Sequence, residues 1–228
     1  SIYLLVKKFT LKGQLGQWNE VERLVKDIAR DNKNIRDILY IVSGKEPFPG
    51  PSVDTDDQDS LVFFVPYEIA EWYVRALRLQ MRFDDAETCL DNLDEFAEFR
   101  APFNTSLRLN WLVSQRLLLK NTVDGIAQAE TRSTCYSDQE QAIHLYEACL
   151  AIDRPFGRSI LHADINKRIG NVWMSGYSAN RYTMAVKHFT TAFMIDPTVA
   201  GQIEALVMRG EAHEKVIQFN AAIADYTA

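Results

Sequence analysis

Apolar residues return along this chain at i, i+3, i+4 and i+7, and the strict alternation of a half-buried strand is nearly absent. The spacing predicts helices over Ile2–Gly13, Trp18–Arg30, Ile35–Val42, Leu61–Met81, Asp84–Phe99 and Thr105–Lys120. They continue over Ser137–Ile152, Leu161–Ser175, Arg181–Ile195, Thr198–His213 and from Phe219 onward, so the fold class is all-α. Ser137 to Glu140 reads as a capping box, in which two side chains satisfy orphan backbone N–H groups reciprocally, and Asn104 is a suitable cap for Thr105. The one long connection, Gly44 to Ser60, carries Pro47, Pro49 and Pro51 and a run of aspartates, and is expected to be mobile.

Short turns between amphipathic helices call for a search for internal repeats. In the run from Tyr182 to Pro197, Ala185, Phe189 and Ala192 lie at offsets of four and seven before a stop at Asp196-Pro197. The same offsets fall on Ala142, Tyr146 and Cys149 ahead of Arg154 and Pro155, on Ala86, Leu90 and Leu93, and on Val21, Val25 and Ile28. Ala222 and Tyr226 begin another copy. A small residue lets the two helices of a hairpin approach, and a bulky one four residues on fills the seam to the next hairpin. Proline cannot donate to the helical ladder and ends the second helix.

Helix hairpins with Ala, aromatic, Ala and Pro at these offsets resemble tetratricopeptide repeats, and Gly170 and Gly210 sit where that family's first helix carries glycine. The resemblance implies a tetratricopeptide-like α-solenoid of antiparallel hairpins. The repeats are irregular: the anchors are 65, 56, 43 and 37 residues apart from Val21 to Ala222, against a family period of about 34. One elongated unit over 1–228 is expected. It comprises a first repeat and following helix over 1–43, the acidic proline-rich loop over 44–60, degenerate repeats over 61–136 and better-matched repeats over 137–228.

Within that superfamily the run "KRIGN", Lys167 to Asn171, followed by "AFMIDP", "MRGEAH" and "AAIADYTA", is similar to tetratricopeptide co-chaperones that carry a J domain. The resemblance implies that Lys167 meets a peptide carboxylate, that Asn171 hydrogen-bonds it, and that Arg168 lies beside them. The partner implied is a protein or extended peptide, a heat-shock chaperone tail or an unfolded client, held on the concave surface. The clamp is partial, with Met208 where the next repeat's asparagine is expected and no third-repeat Lys/Arg pair before Ala228. No His-Pro-Asp tripeptide of a J domain occurs.

The composition is that of a globular chain and narrows the possible partners. The chain has 228 residues, 47% of them hydrophobic, which is ample for a core. A formal net charge of −6 disfavours nucleic acid and anionic membrane as partners, and no apolar run approaches the ~20 residues of a membrane span. Cys89, Cys135 and Cys149, scattered and odd in number, suit a reducing cytosol or nucleus. Both ends read as cut from a longer protein.

No catalytic constellation is expected. His144, His162, His188 and His213 lack metal-ligand spacing, so the expectation is no enzyme, no metal and no cofactor. The acidic loop from Asp54 has Asp59 and Val65 where a calcium loop needs glycine and glutamate. Gly13 and Gly16 in "KGQLGQ" read as a hairpin turn, since no strand precedes them as a phosphate loop requires. Trp18, Trp72, Trp111 and Trp173 read as core residues. Asp84-Asp85 and Asp91 to Phe96 read as a solvated acidic face, or a docking face for a basic partner. The alternative to a co-chaperone scaffold is a structural subunit locked into a large assembly, with its groove permanently filled.

Overall fold

The computed structural model describes residues 2–31, 64–100 and 105–228, with side chains over 4–28, 69–91 and 112–228. Among these residues every regular element is helical: α1 (Ile2–Gln14), α2 (Trp18–Asp31), α3 (Phe64–Leu79), α4 (Phe83–Arg100) and α5 (Thr105–Ser133), then α6 (Gln139–Ile152), α7 (Ile160–Ser175), α8 (Arg181–Ile195), α9 (Val199–Lys215) and α10 (Phe219–Thr227). Two units are distinguished, one of Ser1–Gly13 and Trp18–Lys120, the other of Gln14–Gln17 and Asn121–Ala228. Each buries its own core. In the first, α3 packs on α2 and α4; in the second, α6 to α10 each pack on the next, and α9 also touches α7.

One turn recurs between paired helices. Gly16, Met81 and Ile217 have φ of 75°, 60° and 62°, and in each case the next helix begins two residues later. At Met81 the backbone N–H of Arg82 donates to Leu77 O at 2.9 Å, and that of Met81 to Arg78 O at 3.0 Å. At Ile217 the N–H of Gln218 donates to His213 O at 2.9 Å, and that of Ile217 to Glu214 O at 3.0 Å. These pairs are the two bonds of a Schellman cap, which reverses the chain through one left-handed residue. Glycine fills that position only at Gly16. Met81 and the β-branched Ile217 accept the steric cost of the left-handed region.

Most of the repeat anchors lie in the core, whereas Ile28 is half-buried, Tyr226 is 46% exposed and the Leu93 side chain lies outside those described. Val21, Val25, Ala86, Leu90, Ala142, Tyr146, Ala185, Phe189, Ala192 and Ala222 are all buried. Gly170 and Gly210 sit against the aromatics of the following helix: a Cβ added to Gly170 would lie 2.3 Å from the Phe189 ring, and one added to Gly210 2.5 Å from that of Tyr226. Gly125 on α5 makes the equivalent approach to Cys149 on α6, 2.6 Å from its Sγ. These close approaches are why the first helix of each pair carries glycine at a site where alanine has the higher helix propensity.

In the first unit the α3–α4 turn is tied to α2 by the largely buried Glu22. Its carboxylate accepts from Arg82 Nη1 at 3.0 Å and from Lys26 Nζ at 2.7 Å. Burial acts first and would raise its pKa, but the Lys26 and Arg82 hydrogen bonds outweigh it and hold Glu22 below the usual carboxylate range. Phe9 and Trp72 meet nearby with ring centroids 5.9 Å apart.

Several sequence expectations are corrected. The helix expected to end at Lys120 runs on to Ser133. Residues 121–133 are polar overall, but Thr122, Ile126 and Ala129 bury one narrow face of short side chains. The Ser137 capping box is not formed: a 3₁₀ turn, Tyr136–Asp138, precedes α6, whose N-cap is Asp138 without a side-chain bond. Among the helices α6 to α10, side-chain caps form at Ser159, accepting from His162 N, and at Thr198, accepting from Gly201 N. The helix expected at Ile35–Val42, the loop Gly44 to Ser60 and Asn104 lie outside the described residues, and Trp111 lies in α5 ahead of the residues whose side chains are described. Trp18 and Trp72 are buried as expected, while Trp173 is only half-buried.

Candidate functional site

Lys167, Arg168 and Asn171 project from α7, whose start is fixed firmly. Ser159 caps it by accepting from His162 N at 3.1 Å, and the Ser159 hydroxyl lies 2.8 Å from His162 Nδ1. His162 Nε2 is 3.3 Å from Leu150 O. A carbonyl only accepts, so Nε2 carries the proton and Nδ1 takes the hydroxyl hydrogen of Ser159. This hydroxyl–imidazole pair resembles a nucleophile and its base, yet Ser159 is 0% exposed and His162 4%. No substrate reaches it, and its work is to clamp α7 to the end of α6.

Both cations on α7 are committed to carboxylates. Lys167 is buried and its ammonium donates to Glu204 on α9. Arg168 donates through Nε to Asp164 Oδ2 at 2.5 Å, one turn back on α7, and pairs through Nη1 with Glu130 on α5. The result is a ladder of alternating charge across the first helices of three successive pairs: Glu130, Arg168 with Asp164, then Lys167 with Glu204. Burial raises the Asp164 carboxyl above its usual range; Lys167 opposes this, and Glu204 and Asp196 reinforce it. Burial also lowers Arg168 from its usual value.

Asn171 is exposed, one turn beyond Lys167 on the same side of α7. The structure thus keeps the three residues of the carboxylate motif on one helix, with Lys167 and Arg168 already engaged. The Lys167 ammonium is engaged by Glu204, whose own side chain is 54% exposed. The sequence reading missed the acidic partners. Asp164 was legible as the i−4 neighbour of Arg168. Glu204 stands six residues before Gly210 as Asp164 stands six before Gly170, so the repeat register itself held the clue.

The second helices bring other polar groups inward. Arg209 forks onto Asp225 of α10, with Nε to Oδ2 at 2.9 Å and Nη2 to Oδ1 at 2.5 Å, and lies 5.4 Å from the Phe193 ring centroid. His188 Nδ1 is 3.1 Å from Asn166 Oδ1, while Asn166 Nδ2 donates to His162 O at 2.8 Å. Burial first, and Lys187 next, hold His188 below the usual histidine range against the opposing pull of Glu147. Cys89 and Cys149 are buried thiols pushed upward by that burial, and Cys135 is exposed. Among the described residues no group of His, Cys, Asp and Glu is arranged to hold a metal ion, and no helix is long and apolar enough to cross a membrane.

No protein-family model matches this chain, and no curated protein matches it. Its geometry therefore carries the functional reading. That geometry is a row of first helices, α5, α7 and α9, laced by ion pairs and bearing solvent-facing apolar side chains on α9.

Proposed function

We propose that the chain is a protein-interaction scaffold of tetratricopeptide type, and that the face made by α7 and α9 receives an extended or helical segment of another protein. The observation that carries the reading is the apolar row Val199, Ile203 and Val207, which stays exposed on α9 beside a fixed polar ladder. Recurrent Schellman turns, buried repeat anchors and the glycine-to-aromatic approaches support the repeat assignment. The motif from Lys167 to Asn171 supports a co-chaperone, but the Glu204 pairing favours a client segment over an acidic chaperone tail. Cytosol or nucleus remains the compartment this reading proposes.

The test is fluorescence anisotropy with two labelled probes, an acidic chaperone C-terminal peptide and a reduced, carboxymethylated and hence permanently unfolded protein. Saturable binding of the unfolded protein, with the acidic peptide much weaker, is expected. Tight binding of the acidic peptide that disappears in Lys167→Ala, Asn171→Ala would overturn the preference for a client. Binding of neither probe would overturn the scaffold reading and leave a structural subunit in a larger assembly.

A further inference from the structure

The outward arc of α9 carries an apolar row and exposed carboxylates. Val199, Ile203 and Val207 follow one another at four-residue spacing and are 73%, 56% and 44% exposed. That spacing stacks them into one ridge along the helix. Glu211, four residues past Val207, continues the line of the ridge, Glu204 flanks it, and Glu214, also exposed, accepts from Tyr226 Oη at 2.9 Å. Single exposed apolar residues are ordinary, but three in register with carboxylates beside and beyond them form an amphipathic surface that solvation alone does not call for.

The surrounding charges decide what this surface takes. On the facing helix α7, Lys167 is held by Glu204, and Arg168 is divided between Asp164 and Glu130. The remaining cation of the arc, Lys215, sits at the C-terminal end of α9, past Glu211. With Glu204 engaged by Lys167, two carboxylates of the arc, Glu211 and Glu214, face solvent against the single cation Lys215.

We propose that this face binds a basic amphipathic helix of a partner protein, an inference that rests on the scaffold reading above and specifies its ligand. The partner's apolar side chains, at three- and four-residue spacing, lie along Val199, Ile203 and Val207, while its Lys or Arg side chains reach Glu211 and Glu214 at the C-terminal end of the ridge. An acidic segment meets Glu211 and Glu214 with the α7 cations already spent. An anionic bilayer is repelled for the same reason. A second copy pairing α9 to α9 about a two-fold axis sets carboxylate against carboxylate.

The experiment uses the whole chain and a fluorescein-labelled Leu/Lys peptide of about 18 residues, five helical turns, with leucine at helical spacing. Controls are the same peptide with Glu for every Lys, and one with the leucines scrambled. The Leu/Lys peptide is expected to bind saturably, and both controls roughly tenfold or more weakly, about 1.4 kcal/mol or more. Ile203→Ser with Val207→Ser should weaken the Leu/Lys peptide by a similar factor. Glu211→Lys should weaken it several-fold at low salt, a difference that shrinks at about 1 M salt, where the screening length is about 3 Å. The substituted side chains are exposed, and an unchanged thermal melt verifies that the variants fold. Equal binding of the Leu/Glu peptide, or binding indifferent to both variants, would overturn the proposal. So would a dimer in sedimentation velocity that Ile203→Ser, Val207→Ser dissociates, since the row would then belong to a second copy. If the unfolded protein still binds while the Leu/Lys peptide does not, this inference fails and the scaffold reading stands; loss of both removes both.

Discussion

At the scale of single residues, what a side chain touches decides its chemistry. Lys167 is mostly buried against a largely exposed partner, so the two ends of its ion pair are not equivalent. Replacing Glu204 with Ala strands a buried cation and should cost about 1 kcal/mol after screening, whereas Lys167→Met, which keeps the stem and removes the charge, should be near neutral. Urea unfolding of the two variants measures the difference, and equal losses would contradict it. Gly170→Ala is diagnostic in the same way. Alanine in an open helix site gains about 1 kcal/mol over glycine, but here its Cβ meets the buried Phe189 ring, and the expected change is a loss of about 1–3 kcal/mol. His188 sets a pH dependence. Its folded pKa is depressed, so the unfolded state binds the proton more readily, and its contribution is present above about pH 6.5 and lost as pH falls. A melting-temperature series from pH 7.5 to pH 5 should fall less steeply for His188→Gln than for the parent chain. Residue identity in the core was legible beforehand, because Ala185, Phe189, Ala142 and Tyr146 repeat at fixed offsets. Of the partners of Lys167 and Arg168, Asp164 was legible from helical spacing and Glu204 from its place in the repeat, but Glu130 was not, since it lies on α5 and only the packing of α5 against α7 brings it within reach.

At the scale of elements, helices were read well where their apolar faces are wide and poorly where small residues do the packing. α8 and α10 begin where the apolar period begins, at Arg181 and Phe219. The second half of α5 escaped because Thr122, Gly125 and Ala129 bury a face that hydropathy does not mark. The Schellman turns escaped for a different reason: glycine announces a left-handed cap at Gly16, but Met81 and Ile217 occupy the same position without any sequence signal. Ile217→Gly should therefore raise stability by about 0.5–1 kcal/mol, the relief of a β-branched residue at positive φ less the added entropy of the unfolded chain. Asn220→Gly, a few residues on within α10, should lower it by about 0.3 kcal/mol. Thermal melts of the two variants moving in the same direction would contradict this account of the turn.

At the scale of the whole molecule, the second unit packs its helices in sequence order, and both helices of each pair contribute to its core. The ion-pair ladder fixes α5, α7 and α9 in register, and the cations it consumes leave α9 with an apolar ridge and an acidic flank. The all-α class was plain from apolar periodicity. The electrostatic character of the face was not, because the sequence shows Lys167 and Arg168 as available cations and the fold spends them. The most direct test of the central claim is site-specific photo-cross-linking, with benzoylphenylalanine placed at Val207 on the proposed face or at exposed Lys187 on α8, in the presence of the unfolded protein. Efficient cross-linking from position 207 with little from 187 is the expected result; equal yields from the two positions, or more from 187, would contradict it.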